Sequence, residues 1–321
     1  MTEILEGRAT SGQIAAFCIA LRMKGETVEE MTGLLGAMFE HVTPVVVDDP
    51  GGLVDTCGTG GDRSCTINAS TLAAMVVAGA GARVCKHGNR AQSSKCGSAD
   101  LLEALGVAVD LGPAGVAACI AEAGMGFCFA PRFHPALRHA GPTRRELGVP
   151  TVFNFLGPLA NPAQVRRQSL GVSDPKMAVK MAGVLQARGA ERAFVVYGHD
   201  GLDEITTTTT STVIEIRDGE ARTYDIDPAA LGLTLADPVA LMGGDAATNA
   251  GMARGVLDGQ RGPQRDFVLL NAAAGIVVAG LADDLAAGLE AAAASIDEGR
   301  AASVLERMVK VSAEHAAPPA T

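Results

Sequence analysis

The chain has 321 residues, of which 48% are hydrophobic and 19% charged, with a net charge of −10 and no tryptophan. That length builds one large domain or two unequal ones around an ample core. The acidic balance, with no run of Lys or Arg, argues against an extended nucleic-acid surface and leaves at most an isolated basic pocket. Seven cysteines (Cys18, Cys57, Cys65, Cys85, Cys96, Cys119 and Cys128) form no CxxC pair and read as reduced, small core residues of a cytoplasmic protein. The start, MTEILEGRAT, has neither a basic cluster nor an apolar signal core, and no stretch reaches the roughly 20 apolar residues of a membrane span.

In chain order, residues 11–23 form an expected amphipathic helix ended by Gly25. Thr27 with Glu30 reads as the capping box of a second helix, VEEMTGLLGAMFEHV. Pro44 through Gly52 then marks a hinge into a different architecture. Beyond it, β-like segments (LVDTC, RVCKHG, FCFA, RAFVVYG, TVIEIR) alternate with helices. That alternation predicts an α/β fold with a mostly parallel sheet, whose ligands gather at the carboxyl ends of strands. The threonine run Thr206–Thr210 reads as an exposed strand or loop and Tyr224–Pro228 as ordinary structure. From about Asp245 the chain is helical again, and the tail HAAPPAT reads as disordered.

Four motifs carry chemistry. In GTGGD, Gly58 to Asp62, three glycines let backbone N–H groups close on a ligand. Asn68, Ser70 and Thr71 then stand before an apolar helix whose N-terminus suits an anion. KHGNRAQSSKCGSAD, Lys86 to Asp100, crowds two lysines, an arginine and three serines into a loop beyond a strand, with Ser98 as the expected N-cap of ADLLEALG; it reads as a second anion cradle. Two cradles suggest a substrate phosphorylated at two ends. Asp203-Glu204, adjacent carboxylates beyond RAFVVYG, suit Mg²⁺ held jointly with phosphate oxygens, although a charged surface turn has the same appearance. Finally, Arg144 and Arg145 precede FNFLGPLANP, read as an apolar loop punctuated by Gly and Pro. A guanidinium facing such a loop suits a small aromatic carboxylate, and a helix-end salt bridge is the plain alternative. The histidines show no metal-ligand spacing, so no zinc site is expected.

With these motifs in this order, the chain resembles the anthranilate phosphoribosyltransferase family from about Gly7 to Ala313. The likeness rests on GTGGD with TINAST, KHGNRAQSSKCGSADLLEALG, RRELG with FNFLGPLANP, GHDGLDEI, and GGDAATNAGMARGVL with LLNAAAGIVVAG. The resemblance implies a nucleoside phosphorylase/phosphoribosyltransferase-like fold. A small helical domain over 1–48, joined in space by roughly 135–157, is hinged to an α/β domain over 49–134 and 158–313, with 314–321 a tail. It further implies that Gly58, Gly61, Asp62, Thr66, Asn68, Ala69, Ser70, Thr71, Lys86, His87, Gly88, Asn89, Arg90, Ala91, Gln92, Ser93, Ser94 and Ser98 bind phosphoribosyl pyrophosphate. Gly58, Asn89 and Arg144 would line the anthranilate site, Ser70, Asp203 and Glu204 would hold Mg²⁺, and Lys86 and Asp62 would be catalytic. The reaction implied joins phosphoribosyl pyrophosphate to the anthranilate amine in tryptophan biosynthesis, usually in a homodimer.

One departure bears on assembly. Family members usually carry about one further helix ahead of the segment matching GRATSGQIAAF, where this chain has only MTEILE, so the expected homodimer is less secure than the active site. Two rival readings stay open at this stage. A pyrimidine nucleoside phosphorylase-like enzyme shares the glycine loop and KHG, and Asn89 with the Asp-Glu pair speaks against it. A non-catalytic, nucleic-acid-binding relative of the same fold should lack Arg144 with Phe153 to Pro158, and should carry a basic surface.

Overall fold

A computed structural model describes residues 1–48, 50–62, 64–91 and 94–316. The chain opens with helices α1 (Thr2–Leu5), α2 (Ser11–Lys24) and α3 (Val28–Glu40). Thr10 with Gln13 and Thr27 with Glu30 form reciprocal capping boxes that fix where α2 and α3 begin. Then follow β1 (Leu53–Gly58), α4 (Ala69–Gly79), β2 (Arg83–Gly88), α5 (Ser98–Ala104), α6 (Pro113–Ala123), β3 (Met125–Phe129), α7 (Ala130–Phe133), α8 (Gly141–Leu147) and α9 (Val152–Leu159). The remainder is β4 (Arg167–Gly171), α10 (Pro175–Ala187), β5 (Arg192–Gly198), β6 (Ser211–Arg217), β7 (Glu220–Ile226), α11 (Ala246–Leu257), α12 (Pro263–Ala279), α13 (Leu285–Asp297) and α14 (Arg300–His315).

The strands form one seven-stranded sheet in the order β3-β2-β1-β4-β5-β6-β7. It is parallel from β3 through β5 and antiparallel over β6 and β7. Along β5, Ala193 and Val195 join the core that contains α10, whereas Phe194 and Val196 join the core that contains α12. Successive side chains point to opposite faces, so the sheet is covered on both sides, as parallel sheets are. Helix α12 is buried nearly all round between α4 and α13, which explains its continuous apolar sequence. On the other flank, α2 packs on α8 and α9, and α3 on α9 and α10, gathering Ile14, Leu21, Met31, Leu35, Val152 and Leu156 into one cluster. No helix among the described residues is long and apolar enough to cross a membrane.

Several local expectations change. Most of FNFLGPLANP lies in a helix, α9, over Val152–Leu159, which Thr151 and Asn154 cap and whose Val152, Phe153, Leu156 and Leu159 are buried; Pro158 falls in the last turn, where it removes one bond to the turn before and cannot disturb a longer helix. The N-cap of α5 is Gly97, and Ser98 is the first helical residue. The Asp100 carboxylate does the capping by accepting from Gly97 N (2.8 Å) and Ala91 N (3.0 Å). Thr206 and Thr207 are fully buried in a loop. Helix α14 runs to His315, so the expected tail is helical at Glu314 and His315, where the buried stripe Val304, Met308 and Val311 carries the helix on. Six of the seven cysteines are buried and Cys65 is half-exposed; all are free thiols. Strands β4 and β7 had no sequence signal of their own. RQSLG is short and polar, yet β4 is the middle strand, its Gln168 buried and hydrogen-bonded to the Pro158 carbonyl (2.8 Å).

Candidate active site

The site is built at the carboxyl ends of β1, β4 and β5. Gly58 and Gly171 end β1 and β4 side by side in register. A Cβ on Gly58 would run into the Asp203 carboxylate, and one on Gly171 into the Asp203 carbonyl, so the two bare positions are what let the β5–β6 loop lie across the strand ends. Gly60 and Gly61 take positive φ (+64° and +86°), which turns the GTGGD loop back over them. Of its N–H groups, Thr59's is taken by the Gly171 carbonyl (2.9 Å) and Gly60's by Asp203 Oδ2 (2.6 Å). Those of Gly61 and Asp62 have no partner among the described residues and could serve an anion. Beyond the loop, α4 opens at Ala69, with Ser70 half-buried and the Thr71 hydroxyl buried and unpartnered.

Asp62, Asp203 and Glu204 bring one carboxylate oxygen each within 4.8 Å of one another. Asp203 is 7% exposed, and burial, then the charge of Asp62, pushes its carboxyl up to about 6. Burial, then Asp203 and Asp62, pushes Glu204 well above the usual carboxylate range, and Glu204 Oε2 is buried without a hydrogen-bond partner. Three mutually repelling carboxylates, one with an orphaned oxygen, are stabilised by a hard divalent cation, which makes this donor set a fit for Mg²⁺. Ser70 lines a cavity of about 10 Å³ together with Asp203 and Glu204. Asp62, expected at the donor substrate, thus stands with the two carboxylates that could hold a metal ion.

Beside the acids lies Lys86, only 1% exposed. Its Nζ donates to the Thr56 carbonyl and to Ser70 Oγ (3.3 Å). Burial pulls its pKa down, and the charge of Asp55 opposes that. Asp55, fully buried on β1, accepts from His87 N (3.1 Å) and Asn161 Nδ2 (2.8 Å), and Asn161 also donates to the Cys85 carbonyl (2.8 Å). Asp55, Asn161 and Gln168 were not singled out from the sequence. The available signal was a lone Asp inside LVDTC, a strand otherwise apolar enough to be buried.

The second cradle follows β2 with Gly88, Asn89, Arg90, Ala91, Ser94 and Ser98; Gln92 and Ser93 lie outside the described residues. Asn89 is exposed, its Oδ1 accepting from Arg90 N (2.8 Å). The Arg90 guanidinium turns onto α5, donating to Asp100 (3.0 Å) and Glu103 (2.6 Å), and stacks 5.4 Å from the Phe129 ring. Asn68 ties the two cradles together, donating to the Cys96 carbonyl (3.0 Å) and accepting from Asn249 Nδ2 (2.9 Å) on α11. Thr66 pairs as an isolated bridge with Met242.

Around α8 the structure separates the two arginines: Arg145 is exposed and Arg144 half-buried. The Arg144 guanidinium lies 5.2 Å from the Phe153 ring centroid, Nη2 donates weakly to Asn154 Oδ1 (3.4 Å), and Nε is buried without a partner. No hydrogen bond links Arg144 to the acidic cluster among the described residues. The connection runs through α9, whose Pro158 carbonyl accepts from Gln168 Nε2 (2.8 Å), which also donates to Asp55 Oδ2 (3.4 Å).

Two family models cover the chain: the α/β domain of a glycosyl transferase family over residues 50–302 and the helical bundle domain of that family over residues 1–42. An anthranilate phosphoribosyltransferase of Roseiflexus castenholzii is 53% identical over 314 residues, 97% of this chain and 92% of that protein. One from Nocardioides is 55% identical over 318 residues, covering 98% and 92%. Among solved structures, the crystal structure of the Thermus thermophilus enzyme superposes with a TM-score of 0.92 at 42% identity, covering 97% of this chain and 93% of that one. The Saccharomyces cerevisiae enzyme in complex with phosphoribosyl pyrophosphate and Mg superposes with a TM-score of 0.87 at 30% identity, covering 95% and 86%. With the glycine loop, the buried lysine and the acidic cluster at one edge of a mostly parallel sheet, and with this identity over nearly its whole length, the chain belongs to the anthranilate phosphoribosyltransferase family.

Proposed function

We propose that this chain transfers the phosphoribosyl group of 5-phosphoribosyl 1-pyrophosphate to the amine of anthranilate, giving N-(5-phosphoribosyl)anthranilate and pyrophosphate in tryptophan biosynthesis. The observation that carries this reading is the buried Lys86 set against Asp62, Asp203 and Glu204 at the mouth of the glycine loop. Displacement at the ribose C1 builds positive charge on the sugar and negative charge on the departing pyrophosphate. Lys86 and the free N–H groups of Gly61 and Asp62 stabilise that negative charge, while Ser70, Thr71 and the 88–98 loop orient the phosphates. When bound by Asp203, Glu204, Asp62 and Ser70, Mg²⁺ supplies Lewis-acid neutralisation of the pyrophosphate oxygens.

Arg144, held over Phe153, offers its unpartnered Nε to the anthranilate carboxylate, and Gly58 and Asn89 line the same side. The aryl amine is uncharged and nucleophilic near neutral pH, so alignment between the two substrates contributes several kcal/mol without a strong base (about 7 kcal/mol at the lower end for well-oriented groups). We further propose that 1–48 with roughly 135–157 acts as the helical domain that closes on the α/β domain, that the chain works as a homodimer, and that it is cytoplasmic. The test is loss of anthranilate fluorescence on mixing the protein with phosphoribosyl pyrophosphate and Mg²⁺. Metal-dependent loss is expected. No loss from folded protein, or phosphate-dependent cleavage of thymidine or uridine in its place, would overturn the assignment.

A further inference from the structure

The loop that carries Asp203 and Glu204 is long and polar, and nothing in the reaction accounts for the shape it keeps. It leaves β5 at Gly198 and returns at Ser211, and between them runs the threonine stretch. Asp200 is an exposed carboxylate, yet it spends its acceptor capacity on its own loop. It takes the Leu202 N–H at 3.2 Å, the Thr206 hydroxyl at 2.6 Å and the Thr208 hydroxyl at 2.5 Å. The Thr206 hydroxyl in turn accepts from Thr208 N (3.0 Å), and Thr206 N donates to Ser211 Oγ (2.9 Å). The segment between these contacts, residues 202–206, is therefore gripped at both ends by one carboxylate. On its inner side Asn271 of α12 grips Ile205 twice, accepting from its N–H (3.0 Å) and donating to its carbonyl (2.9 Å).

We propose that Asp200, through Thr206 and Thr208, is a positioning residue that sets the affinity of the Asp203–Glu204 pair for its divalent cation; the proposal rests on the metal reading given above. Asp203 and Glu204 repel each other and Asp62, so an unrestrained loop would relax by moving them apart. The clamp prevents that, holding the carboxylates close before the cation arrives. Affinity is gained because the ordering is already complete when the cation binds. The threonine run, unremarkable as a sequence, supplies hydroxyls at the two positions the carboxylate can reach.

The test compares the wild-type chain with Asp200→Asn and Thr208→Val. Thr208→Val keeps the charge of Asp200 and removes one grip at a half-exposed position. Mn²⁺ binding in the presence of pyrophosphate is followed by the electron paramagnetic resonance signal of free Mn²⁺, alongside the Mg²⁺ midpoint of turnover and the melting temperature. Weakening of Mn²⁺ binding by about tenfold in Asp200→Asn and severalfold in Thr208→Val is expected, with the Mg²⁺ midpoint displaced by the same factor. Unchanged Mn²⁺ binding in Thr208→Val would overturn the clamp even if Asp200→Asn weakens or unfolds, because only the field of Asp200 would then be at work. Lower turnover with an unmoved metal midpoint would also overturn it. Absence of Mn²⁺ binding in the wild-type chain would overturn both this inference and the metal reading, whereas equal binding in all three proteins would overturn this inference alone.

Discussion

Replacing Lys86 by Met tests whether the centre of the site is an electrostatic unit. The side chain is 1% exposed, and its charge sits among Asp55, Glu204 and Asp203. Met fills similar volume without the charge, so the buried Asp55, which makes no direct ion pair with Lys86 among the described residues, loses the field of that cation. Loss of that field, together with the donor to the Thr56 carbonyl, costs about 1–3 kcal/mol. A loss near 2 kcal/mol is a sizeable part of the roughly 5–15 kcal/mol that holds a domain folded. Adding Asp55→Asn should return about half of it. Asn removes the uncompensated charge and keeps an acceptor for His87 N, while its amide hydrogens face the Asn161 Nδ2 that Asp55 now accepts from. The assay is urea unfolding of the wild type, both single variants and the double variant without divalent metal, read by two probes because a chain of this size can unfold in stages. A coupling energy of at least about 0.5 kcal/mol is expected. The reasoning fails if Lys86→Met is as stable as the wild type, or if the double variant is no more stable than Lys86→Met. Catalysis should be lost in both variants lacking Lys86 regardless of stability, since the leaving group then has no cationic side chain at this position.

Gly58→Ala should cut metal-dependent turnover at least tenfold and cost about 1–3 kcal/mol, because the new Cβ meets the Asp203 carboxylate; a wild-type Mg²⁺ response would refute the close approach. Arg144→Ala should raise the anthranilate KM far more than that of phosphoribosyl pyrophosphate, and Arg144→Lys should not restore it, because the planar guanidinium over Phe153 is lost; equal effects on both substrates would remove Arg144 from the acceptor site. Burial holds the His134 pKa at about 4 in the folded chain, below the ordinary 6.5. Between those values the unfolded chain takes up a proton that the folded one does not. His134 should therefore remove up to about 3 kcal/mol of stability as pH falls from 7 to 4. His134→Gln should flatten that limb of the unfolding profile, and an unaltered slope would count against the assignment.

Local chemistry is what the sequence could express. Glycine spacing, capping pairs such as Thr27 with Glu30, apolar runs and the adjacent Asp203-Glu204 each act over a few residues, so the helical start, five of the strands, the two loops beyond β1 and β2 and the acidic pair were legible. The tertiary structure decided what depends on distant segments meeting. Gly58 and Gly171 are 113 residues apart and become one floor for Asp203 only through β1–β4 pairing. Asp62 joins the acidic cluster because GTGGD folds back over that floor, and Arg144, unlike the exposed Arg145, is half-buried because it stacks on Phe153. The polar RQSLG becomes the central strand because its Gln168 is satisfied by Pro158, and the Thr206–Thr208 hydroxyls gain meaning only when Asp200 closes on them. In each case a polar or bare residue that looks neutral along the chain takes its role from a partner that only folding brings within hydrogen-bonding or van der Waals reach.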